Sequence, residues 1–136
     1  MYKTILVKEL VQEGEDLIER LESRRFQIAA AFWYYFEDLM RWRLVIVFSS
    51  LVDRVGPLRA YMHIQEALGQ IKAKELLVSD VSVMSPSGYE YEELRSAVER
   101  SSRVARRHST STPRAIVFEQ AYVYRWSDQL AKSVRV

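Results

Sequence analysis

Residues 27–49 read QIAAAFWYYFEDLMRWRLVIVFS, and this stretch decides the fold. Two runs rich in aromatic and β-branched residues, 27–36 and 41–49, flank a four-residue break that has the length of a hairpin loop. The pattern therefore predicts an antiparallel hairpin. Because both faces of its first strand are largely apolar, we expect the hairpin to be central in a sheet or covered on both sides.

Helices and further strands are predicted around this hairpin from hydrophobic spacing and from turn residues. Leucines at steps of four and seven mark the first helix, and a Gly-Pro pair opens the second. We expect the aromatic face of the last strand to pack against the helices, with the other face toward solvent or a partner. These elements are a helix over 3–23, a helix opened by Gly56-Pro57 and ending near 69–74, a strand over 77–84, a short helix over 91–101 and a strand over 115–126.

The order of elements, α-β-β-α-β-α-β, indicates an α+β fold. We expect a mixed or antiparallel sheet of about four strands, with three helices packed mainly on one face. The length of 136 residues and a hydrophobic content of 49% fit a single domain over residues 1–136. Within it, residues 101–114 predict a basic loop and residues 127–136 a frayed tail.

Composition excludes several kinds of site. The chain has no cysteine, which removes disulfides, thiol nucleophiles and cysteine-bound zinc. Its two histidines are too few for most histidine-based sites and its four glycines are isolated, so we assign no catalytic residue, no metal and no cofactor. The apolar runs are far shorter than the roughly 20 residues of a membrane-spanning helix, so we expect a cytoplasmic protein with no membrane contact.

Charge is distributed unevenly along the chain. Residues 95–136 contain nine arginines and lysines and three acidic residues, a net charge of +6, whereas the whole chain carries +2. Such a segment, with hydroxyl side chains between its cations, can bind nucleic-acid phosphates, although charge runs more often form a solvated face. The candidate nucleic-acid-binding residues are Arg100, Arg103, Arg106, Arg107, His108 and Arg114.

Aromatic residues are dense on the predicted strands, with arginines between them. Base-stacking sheets have this composition, but strand aromatics more often belong to a core or to a protein interface, which is the interpretation we favour. Tryptophan, tyrosine and arginine also dominate the energetics of protein interfaces. The candidate interface residues are Trp33, Trp42, Arg43, Glu119 and Arg125.

Two smaller patterns have both a chemical and a structural interpretation. Asp80 and Glu119 on neighbouring strands could form a metal-dependent nuclease site, but Ala121 stands where the lysine of such a site is expected, so solvent-facing carboxylates are favoured. Asp53, just before Gly56-Pro57, lies where a helix N-terminus can bind an anion, and we favour a turn cap.

Several short motifs span most of the chain from residue 27 to residue 126. They are Ala31-Phe32-Trp33-Tyr34, Trp42-Arg43-Leu44-Val45-Ile46, Leu51-Val52-Asp53, Gly56-Pro57, Ala60-Tyr61 and Glu119 to Arg125. In residue identity and order they resemble a family of uncharacterised bacterial proteins, although Ser49-Ser50 stands where a small residue and a proline are commoner. The resemblance implies a hairpin followed by a Gly-Pro-opened helix, and it brings no activity.

Aromatic-rich strands without a chemical motif predict a non-enzymatic interaction module. We expect an oligomer or an accessory subunit of a larger bacterial assembly, with a protein or a second copy of the chain as its partner. Two alternatives remain open: a nucleic-acid-binding accessory protein that uses residues 100–114, and a metal-dependent nuclease.

Overall fold

A computed structural model describes residues 6–106, 116–117 and 121–126 of the chain. The central hairpin comes from the aromatic-rich stretch, and the helices follow the predicted amphipathic segments. In chain order the elements are α1 (Lys8–Ser23), β1 (Ile28–Phe36), β2 (Arg41–Phe48), α2 (Leu51–Gln70), a 3-10 turn (Val78–Asp80), β3 (Val81–Met84), α3 (Tyr89–Arg106), β4 (Ile116–Val117) and β5 (Ala121–Trp126).

These strands form one mixed sheet in the order β3-β2-β1-β5-β4. Strand β1 pairs antiparallel with both β2 and β5, and β3 pairs parallel with β2. Four of the described strands have at least four residues, and β4 contributes two. The predicted α+β class, the order of elements and the central hairpin are therefore confirmed.

Helices cover both faces of the sheet. On one face, α1 and α2 pack in a core that includes Leu17, Leu21, Ile64, Trp33 and Leu44. On the opposite face, α3 packs against the sheet in a second core that includes Tyr91, Leu94, Val98, Phe32 and Val45. Two of the three helices thus share one face, and the hairpin is apolar on both faces because each face meets a helix.

The last strand differs from its prediction in two ways. The segment expected as one strand forms two short strands, β4 and β5, which pair antiparallel with each other. In addition, the register of β5 against β1 shifts by one residue at Tyr124, which is a β-bulge. Because a bulge reverses the alternation, Trp126 lies on the α3 face, with its ring 5.7 Å from that of Phe32, rather than beside Tyr122.

Helix α2 starts earlier than the sequence predicts. It begins at Leu51, and Gly56 interrupts it with a non-helical backbone at φ 87° and ψ 164°. Such a positive φ favours glycine, and Pro57 then starts the long part of the helix, in agreement with the Gly-Pro prediction. The residues before the break add a first short helical segment.

Two other element boundaries differ from the prediction, the start of the third strand and the end of α3. The third strand is shorter than predicted, since Val78–Asp80 form a 3-10 turn before β3. Helix α3 continues to Arg106, so the first part of the segment predicted as a basic loop is helical. Residues 107–115 and the predicted tail at 127–136 lie outside the described residues. Within the described residues, no helix is both long and apolar enough to cross a bilayer.

Candidate binding groove beside helix α3

Trp33, a candidate interface residue, is a core residue, with 1% of its surface exposed. Its indole Nε1 donates a hydrogen bond of 2.9 Å to the hydroxyl of Tyr124, and that hydroxyl donates to the backbone carbonyl of Val11 in α1. Burial raises the pKa of the Tyr124 phenol above its ordinary range, against the lowering effect of the Trp33 bond. Trp33 was predicted at an interface, and the structure places it in the core, where its side chain joins the sheet to α1.

The guanidinium of Arg43 is also hydrogen-bonded within the chain. Its Nε donates to Ser82 Oγ at 2.6 Å, and its two Nη atoms donate to the carbonyls of Ser79 and Val81 at 3.0 and 2.9 Å. All three acceptors belong to β3 or to the turn before it. Arg43 therefore fastens β3 to β2 and has little capacity left for a partner.

The remaining interface candidates are Arg125, Trp42 and Glu119. Arg125 makes a two-pronged ion pair with Glu22 of α1 at 2.9 and 3.1 Å, and this hydrogen bonding raises the pKa of Arg125. The predicted solvent-facing role of Arg125 is thus replaced by a contact with a helix. Trp42 is partly buried and packs edge to face against Tyr35, at 5.6 Å between ring centroids. Glu119 lies outside the described residues.

The structure places half of the candidate basic residues on one helix. Arg100 is exposed on α3, and Arg103 and Arg106 follow it in the same helix at steps of three residues. Arg107, His108 and Arg114 lie outside the described residues. The basic character of the segment is therefore partly a property of the last turns of α3.

Asp80 and Asp53, the carboxylates singled out in the sequence, both have partners inside the chain. Asp80 pairs with Arg41 at 2.8 Å and accepts the backbone N–H of Leu77 at 3.0 Å, which stabilises the 3-10 turn. Asp53 accepts a 2.7 Å hydrogen bond from Ser85 Oγ, so it joins α2 to the turn before α3 instead of capping its own turn. Across residues 6–106 and the described parts of β4 and β5, no three His, Asp or Glu side chains form a metal site.

The edge of the sheet at β3 is closed to an added strand. The backbone N–H of Val83 donates to the hydroxyl of Tyr61 at 3.0 Å, and the N–H of Val81 bonds to the carbonyl of Val78. The carbonyl of Val81 also accepts from Arg43. Because these backbone groups are already bonded within the chain, an extended peptide would find few open positions along this strand.

An open groove of about 640 Å³ lies between one side of α3 and the sheet. Helix α3 is anchored by Tyr91, Leu94 and Val98, which recur at helical spacing and turn one side of the helix into the core. The adjacent side forms the wall of the groove. Its floor consists of Tyr34, Phe36 and Met84, and its α3 wall includes Glu90, Glu93, Ala97 and Arg100.

The groove combines an apolar floor with charges of opposite sign at its two ends. The rings of Tyr34 and Phe36 stand edge to face with centroids 5.1 Å apart. Burial raises the pKa of the Tyr34 phenol, Glu37 adds to this effect and Arg100 opposes it. Glu90 and Glu93 lie near the start of α3, whereas Arg100 lies about two and a half turns further along.

The glutamates of the α3 wall differ in whether they form ion pairs or hydrogen bonds. Glu92 is paired with Arg95 at 2.8 Å, and a hydrogen bond to Glu93 raises the pKa of Tyr89. Glu90 has no hydrogen-bond or ion-pair partner among the described residues. The sequence prediction missed this groove because Tyr34 and Phe36 of β1 lie about fifty residues before Met84 and α3, which complete the lining.

Comparison with known proteins adds no relative. No family model matches the chain, and searches of the curated proteins and of the solved structures found no match.

Proposed function

We propose that this protein is a non-enzymatic interaction module that holds an apolar, cation-bearing segment of a protein partner in the groove beside α3. The observation that carries the proposal is the groove itself, in which Tyr34, Phe36 and Met84 form an open apolar floor below a charged helix wall. A concave apolar surface with a few polar groups at its rim is the usual form of a binding site.

The charges at the rim indicate the chemistry of the occupant. Glu90 and Glu93 form an acidic end, so a lysine or arginine of the bound segment would lie there. The aromatic rings and the thioether of Met84 accept apolar side chains, because such groups adapt well to a partner. An amphipathic segment with a basic end satisfies both requirements, and docking of such a helix in a groove is a common mode of recognition.

Three candidate interface residues and the β3 edge support the choice of the groove, because their groups are already engaged within the chain. Trp33 is in the core, Arg43 and Arg125 bind groups of their own chain, and the β3 edge is closed. A cytoplasmic location and a role as an accessory subunit of a bacterial assembly are part of the same proposal. The absence of cysteine suits a reducing compartment.

A displayed library of random peptides, selected against the whole protein, tests this function. We expect the selected peptides to carry apolar residues beside a lysine or arginine. Ala97→Arg places a long side chain in the groove and should raise their Kd at least about tenfold, a loss of about 1.4 kcal/mol in binding free energy. Glu75→Arg, which adds the same side chain to an exposed loop residue outside the groove, should leave the Kd unchanged.

Equal affinities of the two variants would show that the groove is not the binding site. The same titration with a single-stranded oligonucleotide tests the nucleic-acid alternative. Affinity for the oligonucleotide that falls steeply with salt and is unaffected by Ala97→Arg would favour binding through Arg100, Arg103 and Arg106.

A further inference from the structure

The outer face of α2 exposes large apolar side chains. Leu58 and Met62 are 74% and 62% exposed, whereas Ala60 and Ile64 on the inner face are fully buried. Residues four apart in a helix lie on the same side, so Leu58 and Met62 form one continuous surface, which we call the α2 stripe. Val55, 39% exposed just before the break in the helix, adds to the apolar area. These neighbouring exposed apolar side chains are available for a contact with another protein.

Two arginines flank the α2 stripe. Arg54 and Arg59 are exposed, and neither guanidinium has a hydrogen-bond or ion-pair partner among the residues that the structure describes. The α2 stripe is therefore an apolar helical surface with cations beside it. This is the chemistry that the floor of the groove and its acidic end at Glu90 would accept.

We propose that the α2 stripe of one molecule docks in the α3 groove of a second copy of the chain. This inference rests on the proposed function and names the partner. Leu58 and Met62 enter the groove above Tyr34, Phe36 and Met84, and the flanking arginines meet the glutamates of the α3 wall. Leu58 and Met62 have the spacing of four residues by which helices anchor in apolar grooves.

The contact joins two different surfaces, so its geometry is head to tail. Helices α2 and α3 pack on opposite faces of the sheet, and the outer face of α2 points away from it, so a molecule cannot fill its own groove. After one contact forms, each pair still has one open groove and one open α2 stripe. Association therefore continues into a ring or an open chain instead of stopping at a symmetric dimer.

Sedimentation velocity over a range of concentrations tests this arrangement. We expect the weight-average mass of the wild-type protein to rise with concentration above the 16.0 kDa of one chain. Leu58→Asp removes the α2 stripe and Ala97→Arg fills the groove, so each variant alone should remain a monomer. Leu77→Asp, the same change at an exposed leucine outside the α2 stripe, should associate like the wild type.

Mixing the two monomeric variants gives the decisive measurement. Leu58→Asp keeps an intact groove and Ala97→Arg keeps an intact α2 stripe, so the mixture should form one 1:1 dimer and nothing larger. The charge-reversed variants Arg59→Glu and Glu90→Arg, both at exposed positions, provide an independent pair. Each should weaken self-association at least about tenfold, and their mixture should restore it.

Three results would overturn the inference. A wild-type protein that stays monomeric but binds the selected peptides would leave the proposed function standing and remove the self-association. Persistent association of Ala97→Arg, with no pairing in the mixture, would indicate a symmetric contact between two α2 helices. The absence of both peptide binding and self-association would contradict both proposals.

Discussion

Gly14 is the residue on which the contact between α1 and the sheet depends. A Cβ atom at this position would lie 2.5 Å from the hydroxyl of Tyr124 and 3.0 Å from the indole nitrogen of Trp33. These two groups are hydrogen-bonded to each other and, through Tyr124, to the carbonyl of Val11. In the sequence, Gly14 is only a weak point in a helix, because the closest contact that requires it comes from Tyr124, about a hundred positions away.

Gly14→Ala should therefore destabilise the protein, although alanine is the better helix former by about 1 kcal/mol. The Tyr124 ring would have to move, which would leave buried polar groups without partners and cost about 1–3 kcal/mol per group. Gly69→Ala is the matched control, because open space surrounds Gly69 near the end of α2, and it should stabilise by about 0.5–1 kcal/mol. Urea denaturation of both variants measures the difference, and stabilisation by both would disprove the packing role of Gly14.

At the scale of elements, hydrophobic periodicity was sufficient to predict the helices and the central hairpin. Periodicity was insufficient where long-range hydrogen bonds determine the backbone conformation. Residues 77–84 alternate like a strand, yet Val78–Asp80 form a 3-10 turn because Asp80 binds the Leu77 N–H and Arg43 binds the Ser79 carbonyl. The bulge at Tyr124 is equally invisible in the alternation, since it depends on how β5 pairs with β1.

Helix α1 is fastened to the loop after α2 by one carboxylate. Glu13 accepts the backbone N–H groups of Lys74, Glu75 and Leu76 at 2.9, 2.9 and 2.8 Å. Partial burial alone would raise the pKa of Glu13, but the three N–H bonds and the charge of Lys74 outweigh it and lower the pKa below the usual 4.5. The ionised form is thus stabilised by folding.

Glu13→Gln should cost about 1–3 kcal/mol of unfolding free energy at neutral pH, because a neutral amide accepts these bonds less strongly. A lowered folded-state pKa contributes stability above the unfolded value of 4.5, and this stability is lost as the pH falls through the folded-state pKa. The difference between wild type and variant should therefore shrink in acid. Urea titrations from pH 7 downward measure it, with Glu75→Gln as the control in the same loop. A difference independent of pH would contradict the role of the charge.

At the scale of the whole molecule, the two faces of the sheet differ in how they are secured. Hydrogen bonds from Tyr124 and Arg125 join α1 to the sheet, whereas α3 is held mainly through Tyr91, Leu94 and Val98. Among the residues that the structure describes, the groove lies where α3 covers only part of its face of the sheet. The groove that we propose as the binding surface was not predictable from the sequence, since hydrophobic periodicity does not show which apolar face a helix leaves partly uncovered.

Tyr61 occupies one backbone donor at the edge of the sheet, the place where a second chain could add a strand. Its hydroxyl accepts the N–H of Val83 at the edge of β3, so Tyr61→Phe would leave that donor without a partner and give another strand one open position there, beside the Val81 groups that stay bonded. We expect a loss of about 1 kcal/mol in unfolding free energy and a slow, irreversible β-type aggregation, followed by thioflavin fluorescence. Aggregation through the edge does not use the groove, so the double variant Tyr61→Phe/Ala97→Arg should still aggregate. If Ala97→Arg abolished the aggregation, the edge would have no separate role, and the groove would account for all association of this chain.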